Sequence, residues 1–310
     1  MGAGHGHGHG HSDGRGGVET ASGRHRTRLM ISFAMVATFF VVELLAGIVT
    51  GSLALVSDAG HMAADVVALG AALVATRIAT RPDSTGRRTY GSYRAEVFAS
   101  GLAVLIMLGV SVYVVVEAVG RVGDDVEIQT GPVLVVGALG LLVNLISIAL
   151  LRAGAQESLN LKGAYLEVMA DTVGSIGVIA AAILVSLTGS SWWDTVVALA
   201  IGLFVAVRAL MLGRQVLAVL GQHVPEGLAI EDVATALQQV PGVADVHDLH
   251  VWVLTSGMNV ATAHLVVVEA ADPQQVLAHA GTLLRRDHEI EHATLQVEAS
   301  KTTSCAELAW

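Results

Sequence analysis

The sequence holds one cysteine, Cys305, in 310 residues. A single thiol excludes an intramolecular disulfide and a cysteine-rich zinc module. Charge is scarce too: Asp, Glu, Lys and Arg make up 14% of the chain, where a soluble domain carries about 25%. Together with 53% hydrophobic residues and a mean hydropathy of +0.64, this points to an integral membrane protein. No secretory signal peptide is expected, because the N-terminus is Gly/His-rich and the first apolar run is too long for an h-region. Basic charge is short and unevenly met. From residue 223 onward, 12 acidic side chains face only Arg285, Arg286 and Lys301, a net of −9 out of −10 for the chain. That acidic region argues against nucleic acid as a partner.

Residues 1–28 have too little apolar surface to fold and read as a disordered tail. His5, His7, His9 and His11 alternate with glycine there. A His-rich tract suggests metal capture. The competing reading is an expression tag, which is usually a contiguous run of histidines.

Six apolar segments follow at 29–50, 53–78, 97–120, 131–151, 163–187 and 192–213. Each is near the roughly 20 residues that span hydrocarbon. Basic residues fall in alternate connections: Arg24, Arg26 and Arg28, then Arg77, Arg81, Arg87, Arg88 and Arg94, then Arg152 and Lys162, then Arg214. The opposite connections hold only Arg121, beside Asp124, Asp125 and Glu127. The bias predicts six spans with both termini cytoplasmic, in a cell membrane and surrounded by lipid.

After a linker at 214–222, residues 223–300 change character, and 301–310 form a tail. Ile230 to Val240 has helical spacing and stops at Pro241-Gly242. Ala244 to Leu254 and Asn259 to Val268 are β-branched runs joined near Ser256-Gly257, a hairpin signal. Asp272-Pro273 fits a helix N-cap and first position, and Thr294 to Ala299 fits a last strand. The order α-β-β-α-β is that of a small α+β domain.

Inside the membrane segments, His61 and Asp65 are four residues apart, as are Glu167 and Asp171. Helical residues at that spacing share a face, about 40° apart around the axis. Asp58 extends the first stripe by one turn, to guide metal outward or to cap the site. Each intramembrane charge costs about 2.5–3.5 kcal/mol even on a mild insertion scale. One imidazole and three carboxylates from two spans suit a tetrahedral Zn²⁺ and are a poor match to a calcium or magnesium cage. Affinity alone would also admit Co²⁺ and Cd²⁺. With no metal, three ionised carboxylates would put about −3 in low dielectric, so the site would take up protons that a metal then displaces. On the expected boundaries Glu167 and Asp171 lie nearer their helix end than the first pair does. A fifth helix starting earlier, near Ala155, or helices extending past the bilayer would align them.

An intramembrane metallohydrolase would need three protein ligands, an open position and a general base. No His-Glu-x-x-His signature is present and four ligands would close the site, so no enzyme and no organic cofactor is expected. A passive divalent-metal channel or a membrane metal sensor would keep the site but lack proton exchange. Glu43, Glu117 and Asn144 are expected to bond between helices.

Four stretches resemble the cation diffusion facilitator family, in its zinc/cadmium/cobalt efflux branch. They are Gly51 to Met62 with Asp65; Arg88-Thr89-Tyr90-Gly91-Ser92-Tyr93-Arg94-Ala95-Glu96; Gly163 to Glu167 with Asp171, Gly174 and Ser175; and Val246-His247-Asp248-Leu249-His250-Val251-Trp252. The resemblance covers essentially residues 24–300. It implies a homodimeric, proton-coupled exporter of Zn²⁺, with a six-helix transmembrane domain (29–213) and a ferredoxin-like, metallochaperone-like cytoplasmic regulatory and dimerisation domain (223–300). Zinc transporters of the family often have His where Glu167 stands, and Glu there resembles members associated also with cadmium and cobalt. The family's second site in the loop after helix 2 is not carried over, since residues 79–93 contain Asp83 but no histidine. The resemblance favours His247, His264 and Glu298 as a regulatory metal site. His250 is a further candidate, but it lies three residues from His247, so on a regular strand the two point to opposite faces.

Overall fold

Lipid offers no hydrogen bonds, so a spanning segment must satisfy its own backbone, and uninterrupted Ala, Leu, Val and Ile do so as helix. The computed structural model describes residues 21–79, 90, 94–122, 126–152, 159–255 and 257–300. It contains α1 (Ala21–Thr50), α2 (Leu53–Ala79), α3 (Ala95–Gly120), α4 (Thr130–Leu151), α5 (Leu159–Thr188) and α6 (Trp192–Leu220). Five of these, all but α2, contain windows long and apolar enough to cross a membrane among the described residues.

Two ends differ from the hydropathy reading. The N-terminal tail was expected to be disordered to residue 28, yet α1 begins at Ala21, and α6 runs through the expected linker to Leu220. Polar first and last turns cost little as helix when continued from a long apolar segment, and they leave no hydropathy signal. α5 starts at Leu159 rather than 163. That places Glu167 about two turns inside the helix and Asp171 about three.

The helices close into a ring in which α1 touches α2 and α4, α3 touches α2 and α6, and α5 touches α4 and α6. α2 reaches across to α5 and α6 as well. Leu105, Val116, Val173, Leu187 and Leu203 point outward, each more than 60% exposed. Such an apolar exterior would be an aggregation hazard in water and is the expected face towards lipid.

The C-terminal domain comprises α7 (Ile230–Gln238), β1 (Val243–Thr255), β2 (Met258–Val267), α8 (Pro273–His288) and β3 (His292–Glu298). This is the α-β-β-α-β order read from the sequence. β1 and β2 pair antiparallel, while β2 and β3 pair parallel with α8 as the crossover, in sheet order β1-β2-β3. The Asp272 carboxylate accepts from Gln274 N at 2.9 Å, capping α8 ahead of Pro273. Val233 and Leu237 of α7, Val276, Ala280 and Leu284 of α8, and Ala261 and Leu265 of β2 form one buried core.

Candidate metal centre

α2 and α5 bring the two intramembrane pairs together. His61 Nε2 lies 3.7 Å from Asp65 Oδ2, 3.9 Å from Glu167 Oε1 and 3.4 Å from Asp171 Oδ1. One ligand atom from each of His61, Asp65 and Glu167 falls within 4.8 Å of the others. His61 and Asp171 are buried, and among the described residues His61 Nδ1, Asp65 Oδ2 and Asp171 Oδ1 are buried without a hydrogen-bond partner. A buried unsatisfied polar atom costs about 1–3 kcal/mol. Two of them, Asp65 Oδ2 and Asp171 Oδ1, lie within 3.7 Å of His61 Nε2, which suits a site built to hold an ion rather than one built for stability.

The approach of α5 to α2 depends on Gly174. An ideal Cβ there would lie 2.3 Å from Asp58 Oδ1, so any larger residue would separate the helices or displace Asp58. Asp58 itself is buried and lies outside the ligand group of His61, Asp65 and Glu167. Of the other intramembrane polar residues, Asn144 Nδ2 donates to Ser175 Oγ at 3.3 Å, joining α4 to α5. Glu117 pairs with Arg121 at 3.2 Å.

Two charged residues in α6 had no part in the sequence reading. Arg208 Nη1 donates to Glu167 Oε1 and approaches His61 Nε2 at 3.1 Å. Asp194 holds the start of α2: its carboxylate accepts from Ser52 Oγ at 2.6 Å and from Leu53 N at 2.7 Å. The rule that intramembrane charge signals function would have found both.

In the C-terminal domain, His247 of β1 and His264 of β2 are direct cross-strand partners, and Glu298 ends β3. Glu298 Oε1 is 3.1 Å from His264 Nδ1, and its Oε2 is 3.5 Å from His247 Nε2. One ligand atom from each of the three lies within 4.8 Å of the others. Among the described residues both ring nitrogens of buried His247 lack hydrogen-bond partners. Two imidazoles and a carboxylate with an unsatisfied ring fit a divalent ion of the zinc type.

His250 does not join that group, but strand parity is not the reason. Asp248 has φ +53 and sits in a register break, so His247 pairs with His264 while His250 pairs with Thr262. The extra residue returns His250 to the same face. Its Nε2 instead meets Asp248 Oδ1 at 3.0 Å. His5, His7, His9 and His11 lie outside the described residues.

A family model described as the cation efflux transmembrane domain matches residues 29–220, and one described as the cation efflux protein cytoplasmic domain matches residues 225–300. The chain is 42% identical to the metal cation efflux system protein CzcD of Cupriavidus metallidurans, over 96% of this chain and 90% of that protein. It is 32% identical to a cadmium, cobalt and zinc/H(+)-K(+) antiporter of Bacillus subtilis, over 89% of this chain and 90% of that protein. It is 33% identical to the zinc transporter ZitB of Escherichia coli, over 87% of each.

Proposed function

The chain belongs to the cation diffusion facilitator family, in its zinc, cadmium and cobalt efflux branch, and from that premise we propose that it exports Zn²⁺ from the cytosol in exchange for protons, with Cd²⁺ and Co²⁺ as further substrates. The family is one of membrane transporters of metal cations and not of enzymes. The observation that carries the finer reading is that His61 Nε2 of α2 lies within 3.9 Å of carboxylate oxygens of Asp65 on its own helix and of Glu167 and Asp171 on α5, with His61, Asp65 and Glu167 forming the mutually close group.

The ligand chemistry gives the coupling. Imidazole Nε2 and the carboxylate oxygens bind a metal only when deprotonated, so loading the ion releases protons. A site that must hold either protons or metal, and that opens alternately to each side, exchanges one for the other. A channel with the same ligands would pass metal without that exchange. Both termini are cytoplasmic in this reading, and the His-rich tail collects metal at the entry side. The C-terminal domain joins two copies of the chain. His247, His264 and Glu298 bind a regulatory ion there, whose charge offsets repulsion between two acidic domains.

The test is metal-resolved transport in proteoliposomes with and without an imposed pH gradient. Zn²⁺ uptake is expected to rise when the trans compartment is acid, and to be lost in Asp65→Ala and Asp171→Ala. Uptake indifferent to the gradient would refute proton exchange.

A further inference from the structure

The site described above is assembled from α2 and α5, but a third helix reaches into it. Arg208 lies on α6, and its Nη1 contacts two of the four ligand residues at the atoms a metal would need: Glu167 Oε1 and His61 Nε2. Both contacts have a fixed sense. A guanidinium has five N–H donors and no acceptor, and it does not deprotonate in proteins. His61 must therefore offer Nε2 as a lone pair, the same lone pair that would ligate a metal. One lone pair cannot serve both cations.

The side chain is also held in place. Arg208 Cζ lies 5.9 Å from the ring centre of Phe204, one turn earlier on α6. The Phe204 ring in turn meets the His61 ring edge-on at 5.9 Å. Phe204, half exposed on α6, thus touches both the guanidinium and the His61 ring that the guanidinium approaches. A snorkelling arginine at a helix end would point its charge to water. This one points into a cluster of three carboxylates and an imidazole.

We propose that Arg208 is a tethered competing cation of the transport site: it occupies the ligand atoms of His61 and Glu167, is displaced when a divalent metal loads, and returns to promote metal release. The proposal rests on the transport-site reading above. A carrier needs binding that is favourable enough to load and weak enough to unload. Four ligands including three carboxylates would otherwise hold Zn²⁺ tightly. A permanent positive charge on a neighbouring helix lowers that affinity without removing a ligand, and couples loading to a displacement of α6 relative to α2 and α5.

The experiment compares native full-length protein, Arg208→Gln, Arg208→Lys and His61→Ala, by Zn²⁺ binding in detergent and Zn²⁺ transport in proteoliposomes. Arg208→Gln is expected to lower the Zn²⁺ dissociation constant about tenfold, a size typical of coupled binding events. KM should fall with it, and kcat should fall because release slows. Arg208→Lys keeps the charge but reaches one ligand instead of two, so its binding should lie between native and Arg208→Gln. It also carries the test if the glutamine variant does not fold. If Arg208 were only a structural partner of Glu167, its loss would weaken binding or leave it unchanged, with no joint fall of KM and kcat, and either result overturns the proposal. Native-like binding in the Arg208 variants with loss in His61→Ala overturns the role of Arg208 alone. Native-like binding in all of them overturns the transport site as well.

Discussion

His61 Nε2 on α2 and Asp171 Oδ1 on α5 lie 3.4 Å apart, and both side chains are almost completely buried. This pair joins the two halves of the proposed site, which neither helix could form alone. Removing either group leaves the other buried among like charges or unpaired. Asp171→Asn is the cleaner probe, because it keeps volume and removes one anionic ligand. We expect it to weaken Zn²⁺ binding by more than the roughly 10–100-fold that losing an outer-shell partner costs. Isothermal titration of the full-length protein in detergent checks this, and binding within about threefold of native would remove Asp171 from the ligand set.

What could be read from the sequence follows from periodicity. His61 with Asp65 and Glu167 with Asp171 were visible because i,i+4 spacing fixes a common face in any helix. Their meeting was not visible, because it depends on Gly174 admitting Asp58 between two helices. Arg208 is less legible for another reason: intramembrane charge marks it, but as one cation near the end of the last apolar run it resembles an orientation charge. Asp194 stands in the first turn of α6 and looks like an ordinary helix-start acid. Only the three-dimensional pairing shows that it caps a different helix. His250 stays outside the His247 group, but not through strand parity, which holds only until a residue such as Asp248 takes φ +53 and inserts a bulge.

Gly174 gives a test of that helix contact. Alanine there would put Cβ 2.3 Å from Asp58 Oδ1. Gly174→Ala is expected to destabilise the membrane domain by about 1–3 kcal/mol, the usual cost of overpacking. Adding Asp58→Ala should recover part of that loss. The measurement is the thermal midpoint of the two single variants and the double variant. Strict additivity would show that the two residues do not press on each other.

Asp194 gives a test of the other end of α2. Its carboxylate accepts from Ser52 Oγ and Leu53 N, and Arg121 Nη1 stands 3.7 Å away. Asp194→Ala removes the cap and leaves a buried backbone N–H without its acceptor. The loss should be about 1–2 kcal/mol of stability, the range for helix N-caps. Asp194→Asn keeps one acceptor oxygen and should lose less. Equal losses in the two variants would assign the effect to the charge near Arg121 and not to the cap.

If protons and metal compete for the proposed transport site, that competition sets the sign of its pH dependence. Each proton that Zn²⁺ must displace weakens apparent affinity as pH falls, by about tenfold per pH unit for one proton. The Zn²⁺ dissociation constant should therefore rise on acidification, and the slope of its logarithm against pH counts protons released. Asp171→Asn should reduce that slope, because it removes one site of competition. A flat profile in the native protein would mean that metal binds without displacing protons, and would favour a channel over an exchanger.

The C-terminal group makes a separable prediction. Both ring nitrogens of His247 are buried without a hydrogen-bond partner among the described residues, while His264 Nδ1 and Glu298 Oε1 already stand 3.1 Å apart. A bound ion would use the ring that is otherwise unsatisfied, so His247 is the residue whose loss should cost least in the absence of metal and most in its presence. His247→Ala should lower the Zn²⁺ bound per chain by about one equivalent and leave the transport-site affinity unchanged, since sites with no shared partners behave independently. The link to the membrane domain runs through Thr255 Oγ1, which donates to Glu96 Oε2 at 3.3 Å, and through Tyr90, whose ring meets that of His292. His292 opens β3, the strand that ends in Glu298. If the ion regulates transport by ordering this strand, His247→Ala should also lower kcat without changing KM, and Tyr90→Ala should reproduce that drop while retaining full metal stoichiometry. Equal kcat in native, His247→Ala and Tyr90→Ala proteins would leave the C-terminal ion a structural one.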